Sequence, residues 1–282
     1  MSKNWLITGV SGGLGRALAE TVAQAGHTVV GTVRRETDRL DFEEAVPGAI
    51  GRVLDVTDHA AVATAVESVL ARLGRIDVLV NNAGQGFTGA IEETAPDQLR
   101  QLMEVNLVAP LAFIQAILPA MRDRASGHII NITSISGFRP WSGTGAYCAS
   151  KFALEGLGQT LAQEVRPFGI RVTNVMPGGL RTRFNGATGQ AAGHIDAYAE
   201  TAHLAREALN RSDGRQNGDP AQAAQRIFEM TEAPTVPLNL LLGSDAVSMA
   251  TQRVAEFPED LGRWGSLSES IDFSKPRPFL RH

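Results

Sequence analysis

Seven short apolar runs alternate along this chain with stretches whose apolar residues fall at helical spacing, and few folds accommodate that alternation. The runs cover residues 4–7, 27–33, 53–54, 77–80, 128–132, 171–175 and 238–242. Between them Ala17, Leu18, Val22 and Ala25 mark one helix, and Ala61, Val62, Ala65, Val66, Val69, Leu70 and Leu73 a second. Pro96 opens a third that continues past Asn106 and Pro110 to about residue 124. A fourth runs from Tyr147 to about residue 165, and Asp219-Pro220, an N-cap followed by proline, starts a fifth. Strands this short and apolar are buried on both faces, as in a parallel sheet covered by helices on either side. The expected architecture is α/β: one doubly wound, parallel, seven-stranded sheet in a single domain over residues 1–282.

In such sheets ligands bind beyond the carboxyl ends of the strands, and five strand ends carry polar or turn residues: the first glycine turn, Asp55, Asn82, Ser134 and Pro177. The first strand breaks into Thr8-Gly9-Val10-Ser11-Gly12-Gly13-Leu14-Gly15 before its helix. Glycines let the backbone approach a pyrophosphate, which the free N–H groups and positive end of the helix dipole then bind. Tight turns use glycine for steric reasons alone, but Arg16, a cation opposing the helix dipole, fits better with an anion nearby. The second strand ends in Thr32-Val33-Arg34-Arg35. A carboxylate there would bind a ribose 2′-hydroxyl, whereas arginine accommodates a 2′-phosphate. NADP is therefore expected over NAD, with Arg34 the contact and Arg35 solvated.

Tyr147 and Lys151 stand four residues apart, so on a helix they share a face one turn apart. Bringing a phenol from a pKa of roughly 10 to neutrality takes about 4 kcal/mol. One unit charge at ~4 Å with an effective dielectric of ~20 supplies about that, and an oxidised nicotinamide would add a second cation. An isolated pair of this kind is more often a buried aromatic beside a solvated lysine. Ser134, at a strand end upstream, adds a third group suited to proton transfer.

Net charge is −4, with 43% hydrophobic and 20% charged residues, which gives no reason to expect nucleic acid or an anionic membrane surface. The single cysteine, Cys148, excludes an intrachain disulfide and suits a reducing compartment. The six histidines show no metal-ligand spacing, so no metal is expected. The apolar run at Trp5 is too short for a signal peptide. The longest apolar segment, residues 107–118, falls short of the ~20 residues a bilayer requires. A cytoplasmic location is the simplest expectation.

With these residues in hand, the sequence from about residue 3 to 243 resembles the short-chain dehydrogenase/reductase family in its single-domain, Rossmann-like form. The carrying elements occur in the family's order: Thr8-Gly9-x-x-x-Gly13-x-Gly15, Asp55, Asn81-Asn82-Ala83-Gly84, Asn106, Ser134, Tyr147-x-x-x-Lys151 and Pro177-Gly178-x-x-x-Thr182. The resemblance implies Tyr147 as acid/base, Ser134 bonding the reacting oxygen, Lys151 holding the nicotinamide ribose and lowering the Tyr147 pKa, and Asn106 in a water-borne proton relay. It implies cofactor contacts from Gly9, Ser11, Gly13, Leu14, Gly15, Asp55, Val56, Asn82, Ala83, Gly84, Pro177, Gly178 and Thr182, besides Arg34, Tyr147 and Lys151. Asp55 as a helix N-cap and Asn81-Asn82 as a plain turn are the competing readings. Gly12 departs from the polar or basic residue frequent at its place.

The expected activity is hydride transfer between NADP(H) and a ketone, aldehyde or secondary alcohol, in a homo-oligomer, dimer or tetramer. A catalytically silent nucleotide sensor, and an isomerase or dehydratase with retained cofactor, are the alternatives. Residues 183–218 are expected to form a substrate lid, with a helical patch at 195–209. Phe87, Phe138, Trp141, Met176 and Phe184, just beyond strand ends, are candidates for an apolar pocket. Residues 245–282 are an extension, helical to about Trp264.

Overall fold

The computed structural model describes residues 2–272. In chain order its elements are β1 (Asn4–Thr8), α1 (Gly13–Gln24), β2 (Thr28–Val33), α2 (Glu36–Ala45), β3 (Ile50–Val53), α3 (His59–Leu73), β4 (Val78–Asn81) and β5 (Phe87–Thr88). There follow α4 (Pro96–Met103), α5 (Ala109–Asp123), β6 (Gly127–Ile132), α6 (Gly145–Val165), β7 (Ile170–Pro177), β8 (Gly189–Gln190), α7 (Leu204–Arg211), α8 (Pro220–Glu232), β9 (Asn239–Leu242) and α9 (Ser244–Glu269). Seven strands form the parallel sheet in the order β3-β2-β1-β4-β6-β7-β9, and β5 pairs with β8 apart from it. The chain reverses direction across the sheet between β1 and β4, which opens the crevice in which such folds bind ligands.

Strand alternation explains why both faces are covered. Trp5 and Ile7 point into one core with Leu18 of α1, Phe42 of α2 and Ile227 of α8. Leu6, between them, points into the other with Val66 of α3, Ile117 of α5 and Leu161 of α6. Register is pinned by a polar ladder: Asn81, Asn131 and Asn174 are level across β4, β6 and β7. Asn81 donates to Asn131 at 2.9 Å, Asn131 to Asn174 at 3.0 Å, and Asn174 to the Glu155 carboxylate at 2.8 Å. All are buried, so a one-residue slip would strand each amide without a partner. Asn81 is thus a strand residue rather than the turn former its sequence suggested.

The third strand lies at Ile50–Val53, upstream of the expected 53–54, with Leu54 beyond its end. α2 was not foreseen, because it is mostly charged and buries Phe42 alone. Between α4 and α5 the helix passes through a π-turn, Glu104–Val108, that carries Asn106. The run Pro96–Asp123 is consequently continuous over 28 residues, and a mean hydropathy of 1.6 in an 18-residue window of it is enough for a membrane span. The same pattern suits a core helix, and Phe113, Ile114, Ile117 and Met121 of α5 are buried in the second core. α9 extends five residues past Trp264. Most of the expected tail, from residue 273 on, lies outside the described residues.

Candidate active site

β1 ends at Thr8, and Gly9 (φ +74°) and Gly13 (φ +58°) take left-handed conformations that turn the chain into α1. The turn is closely packed. A Cβ on Gly15 would lie 2.4 Å from Asn82 Nδ2 and 2.5 Å from the Gly9 carbonyl, and one on Gly13 would touch Thr182 at 3.4 Å. Asn82 Nδ2 donates to the carbonyls of Thr8 (2.8 Å) and Gly9 (3.1 Å), clamping β4 to the turn. Its amide nitrogen is therefore committed to the protein, which leaves Oδ1 for a ligand.

Gly9, Ser11, Gly13, Leu14, Gly15, Arg34, Asp55, Val56, Asn82, Ala83, Gly84, Ser134, Tyr147, Lys151, Pro177, Gly178 and Thr182 all line one cleft of about 1390 Å³. That exceeds the ~300–1,000 Å³ of ordinary small-molecule pockets and suits a dinucleotide with a second ligand beside it. The glycine cradle, with no room for side chains and the N-terminus of α1 facing it, fits a pyrophosphate. Asp55 is no N-cap. Asp58 takes that role, accepting from Ala61 N at 3.0 Å, while Asp55 Oδ1 accepts from Thr57 N and Oγ1 at 3.0 and 2.8 Å. These bonds hold the Asp55 carboxyl below its usual range.

Two arginines behave otherwise than expected. Arg16 turns away from the cleft: its Nε donates to Val10 O at 2.9 Å and its guanidinium covers the Phe42 ring. Arg35 is not simply solvated but forks onto Asp38, Nε to Oδ2 at 2.9 Å and Nη2 to Oδ1 at 2.8 Å. Arg34 is exposed at the cleft wall. Opposite, Arg183 reaches over the turn, with Nη2 only 3.0 Å from where a Gly12 Cβ would stand. Arg183 carries no signal in the sequence, where it is one residue of an irregular region. Its position explains Gly12, since the missing side chain makes room for a cation from elsewhere.

At the other end of the cleft, Ser134 follows β6 and Tyr147 and Lys151 lie in the first two turns of α6. Ser134 Oγ accepts from Ser136 N at 3.1 Å and faces the same cleft as the Tyr147 hydroxyl. Lys151 Nζ donates to Ile132 O at 3.0 Å and stands 5.8 Å from the Tyr147 ring centre. Burial pushes the Tyr147 phenol up to about 12, against the nearby Ser134 hydroxyl that pulls it down, and pushes Lys151 down to about 8. In the protein alone, then, burial raises the phenol, and the Lys151 ammonium is engaged by the Ile132 carbonyl.

Asn106 lies behind the cleft wall and is 1% exposed. Its Oδ1 accepts from Gln85 N at 2.8 Å, and its Nδ2 donates to Gln85 O at 2.9 Å and Ser150 Oγ at 3.0 Å. It stays close to Lys151, since a Cβ on Gly84 would stand 3.3 Å from Asn106 Oδ1 and 3.5 Å from Lys151 Nζ. The π-turn supplies that inward reach, as such turns do at functional sites.

Of the apolar candidates, Phe87, Trp141 and Phe184 line the cleft, with the Phe184 ring 6.1 Å from that of Tyr147. Phe138 packs under α9 and Met176 is buried within β7. Gln216, also unforeseen, faces the cleft beside Gly179; it is buried, and among the described residues neither side-chain polar atom has a partner. Glu93, His194 and His203 bring ligand-type atoms within 4.8 Å of one another, a grouping no sequence spacing announced. The Glu93 oxygens already accept Ala90 N (2.9 Å) and Ile195 N (2.7 Å), with His203 Nε2 at 2.7 Å. These contacts hold the carboxyl down at about 2 and tie residues 195–203 to the body.

Comparison with known proteins agrees with this geometry. The sequence pattern of short chain dehydrogenases matches residues 3–193. Over 274 residues, 95% of this chain and 98% of the relative, the sequence is 35% identical to oxidoreductase BOA17 of Botryotinia fuckeliana. The crystal structure of a short-chain dehydrogenase from Streptomyces avermitilis superposes with a TM-score of 0.90 at 43% identity, covering 96% of this chain and 98% of that one. A metagenomic short-chain oxidoreductase in complex with NADP gives 0.68 at 30% identity, covering 86% and 97%. With the sheet order, the glycine cradle and the Ser-Tyr-Lys cluster on one cleft, the chain belongs to the short-chain dehydrogenase/reductase family of Rossmann-type, NAD(P)-dependent oxidoreductases.

Proposed function

We propose that this protein uses NADP(H) to interconvert a ketone or aldehyde with the corresponding alcohol, with Tyr147 exchanging the proton. The observation that carries this reading is the Ser134, Tyr147 and Lys151 cluster opening on the same cleft as the glycine turn. A phenol held at about 12 is protonated at neutral pH, which suits it to donate to a carbonyl oxygen that gains charge. Ser134, lining the same cleft as that hydroxyl, would hold the same oxygen. The bound cofactor would supply the hydride and, when oxidised, a positive charge beside the phenol that favours proton loss in the reverse direction. Lys151 would bind the nicotinamide ribose, and Asn106 would join a proton relay carried by water.

The NADP preference rests on the adenosine end. Thr32 and Val33 offer no carboxylate, and both oxygens of nearby Asp38 are taken by Arg35. Arg34 and Arg183 both line the cleft with Asp38, and two cations there favour a 2′-phosphate. Residues 183–218 act as the lid over the substrate, with Phe87, Trp141 and Phe184 its apolar contacts. The test is a nicotinamide-absorbance screen with NADPH and NADH against cyclic, aromatic and aliphatic carbonyls. Turnover with NADPH that Arg34→Ala weakens by roughly 10–100-fold in KM, the worth of a charged hydrogen bond, supports the assignment. A purified protein that binds neither nucleotide contradicts it. Retained nucleotide with no absorbance change across the panel would point instead to an isomerase or dehydratase.

A further inference from the structure

Only the start of α9 belongs to the globular body. Ala246 and Ala250 pack with Ile135, Phe138 and Leu241, and Asp245 accepts from Gly179 N at 2.7 Å. From residue 251 to 272 every position except Gly265 is exposed, and among the described residues the ion pair that reaches back to the body is Arg139 with Glu256, at 2.9 Å. A 26-residue helix is about 39 Å long, so most of it projects into solvent. It also contains Pro258, Gly262 and Gly265, and a Cβ at either glycine would meet nothing within 4 Å. Helices with such interior residues do not persist unsupported in water. Something has to pack against this one.

The exposed apolar residues are not scattered. Val247, Val254, Phe257, Leu261 and Trp264 lie on one stripe at steps of three and four, the spacing of a two-helix seam, with the buried Ala250 filling the position between Val247 and Val254, and Ile271 continues it past Ser268. Val254, Phe257, Leu261, Trp264 and Leu267 are each 54–64% exposed. At roughly 100 Å² apiece, burying them on two chains removes about 1,000 Å² before flanking residues count, near the lower edge of a standard interface at about 1,200 Å².

We infer that α9 pairs antiparallel, about a two-fold axis, with α9 of a second copy of this chain. Placing Val254 opposite Phe257 of the second copy sets Trp264 opposite Val247, a larger residue against a smaller one, and brings Leu261 to the edge of the body where Ala250 is buried. The same alignment brings Arg253 diagonally to Asp260 of the second copy, and symmetry makes that contact twice. Sliding by one heptad would set Asp260 against its own counterpart. In a parallel pair the residue across from Arg253 would be Pro258. A membrane surface is the poorer occupant, because acidic residues outnumber basic ones five to two over residues 251–272, and interfacial helices carry lysine and arginine on the polar face.

The test uses the full-length protein and the double variant Phe257→Asp/Trp264→Asp, compared by sedimentation velocity at micromolar concentration. The inference expects the variant to have half the wild-type mass with nucleotide binding unchanged. A wild-type monomer, or a variant of unchanged mass, overturns it. Arg253→Asp should raise the dissociation constant several-fold, and adding Asp260→Arg should restore it; no restoration overturns the antiparallel register. Cosedimentation of the wild type, but not the double variant, with phosphatidylcholine–phosphatidylserine vesicles would assign the stripe to lipid and overturn it as well.

Discussion

The floor of the cleft and the segment that roofs it, residues 178–218, are built by different means. The floor is made of strand ends in fixed register and the helix starts beside them, with Thr32, Thr133, Ser134 and Lys151 all buried. The roof is largely exposed and made of short 3-10 and π turns. It is held from residues 87–98: β5 pairs with β8, Gln98 Oε1 accepts from Ala192 N at 3.1 Å, and Glu93 takes Ile195 N and His203. Repetitive hydrogen bonding therefore positions the reacting groups, while a few side-chain ties position what closes over them. Changes to the floor should abolish function, and changes to the ties should mainly alter substrate binding.

The strongest way to break this contrast is Tyr147→Phe. Turnover of a substrate found in the screen should fall by roughly 10²–10⁴-fold, the usual worth of a general acid, with nucleotide affinity unchanged by titration. A variant retaining full turnover removes the phenol from the chemistry. Gly15→Val should come next, because its side chain would collide with Asn82 and the Gly9 carbonyl. Overpacking of that kind costs about 1–3 kcal/mol, and we expect lost nucleotide binding with a lower melting temperature. Glu93→Ala should act on the roof alone: several-fold higher KM and faster proteolysis within residues 190–210, with kcat and the melting transition nearly unchanged. A collapse of kcat would merge the two regions and end the comparison.

The smallest effect, and the one that sharpens the contrast, is with pH. His128 lies buried under the sheet, donating or accepting at Thr173 Oγ1 (3.0 Å), and burial holds its pKa down to about 3. Between 6.5 and 3 the unfolded chain binds a proton that the folded one refuses, so global stability should be full above 6.5 and fall as pH falls through that window. Glu93 is shifted from 4.5 to about 2, so its tie is intact above 4.5 and released as pH falls below. Chemical denaturation at pH 7 and 5 should show the body weakening, and limited proteolysis should show the roof unaffected until the pH drops below about 4.5.

Local spacing made much of the site legible. The glycine turn, Ser134, and Tyr147 with Lys151 lie within single strand-loop-helix units, where neighbours in sequence are neighbours in space. α2 was invisible because its register carries charge rather than an apolar stripe. Arg16 misled because a cation beside a cradle can as well lie across an aromatic ring. Arg183 and Gln216 could not be placed, since they come from an irregular segment that only the closed fold brings over the turn.

What the chain's order of residues determines by itself is the α/β alternation, the cradle and the acid/base set, because these follow from hydrophobic periodicity and from offsets of a few residues along regular backbone. Tertiary structure alone decided that Glu93 meets His203 across 110 positions, that Arg183 replaces a missing side chain at Gly12, and that burial raises the Tyr147 phenol. Those outcomes depend on which surfaces lose water when distant segments close on one another, and desolvation has no signature in a local pattern.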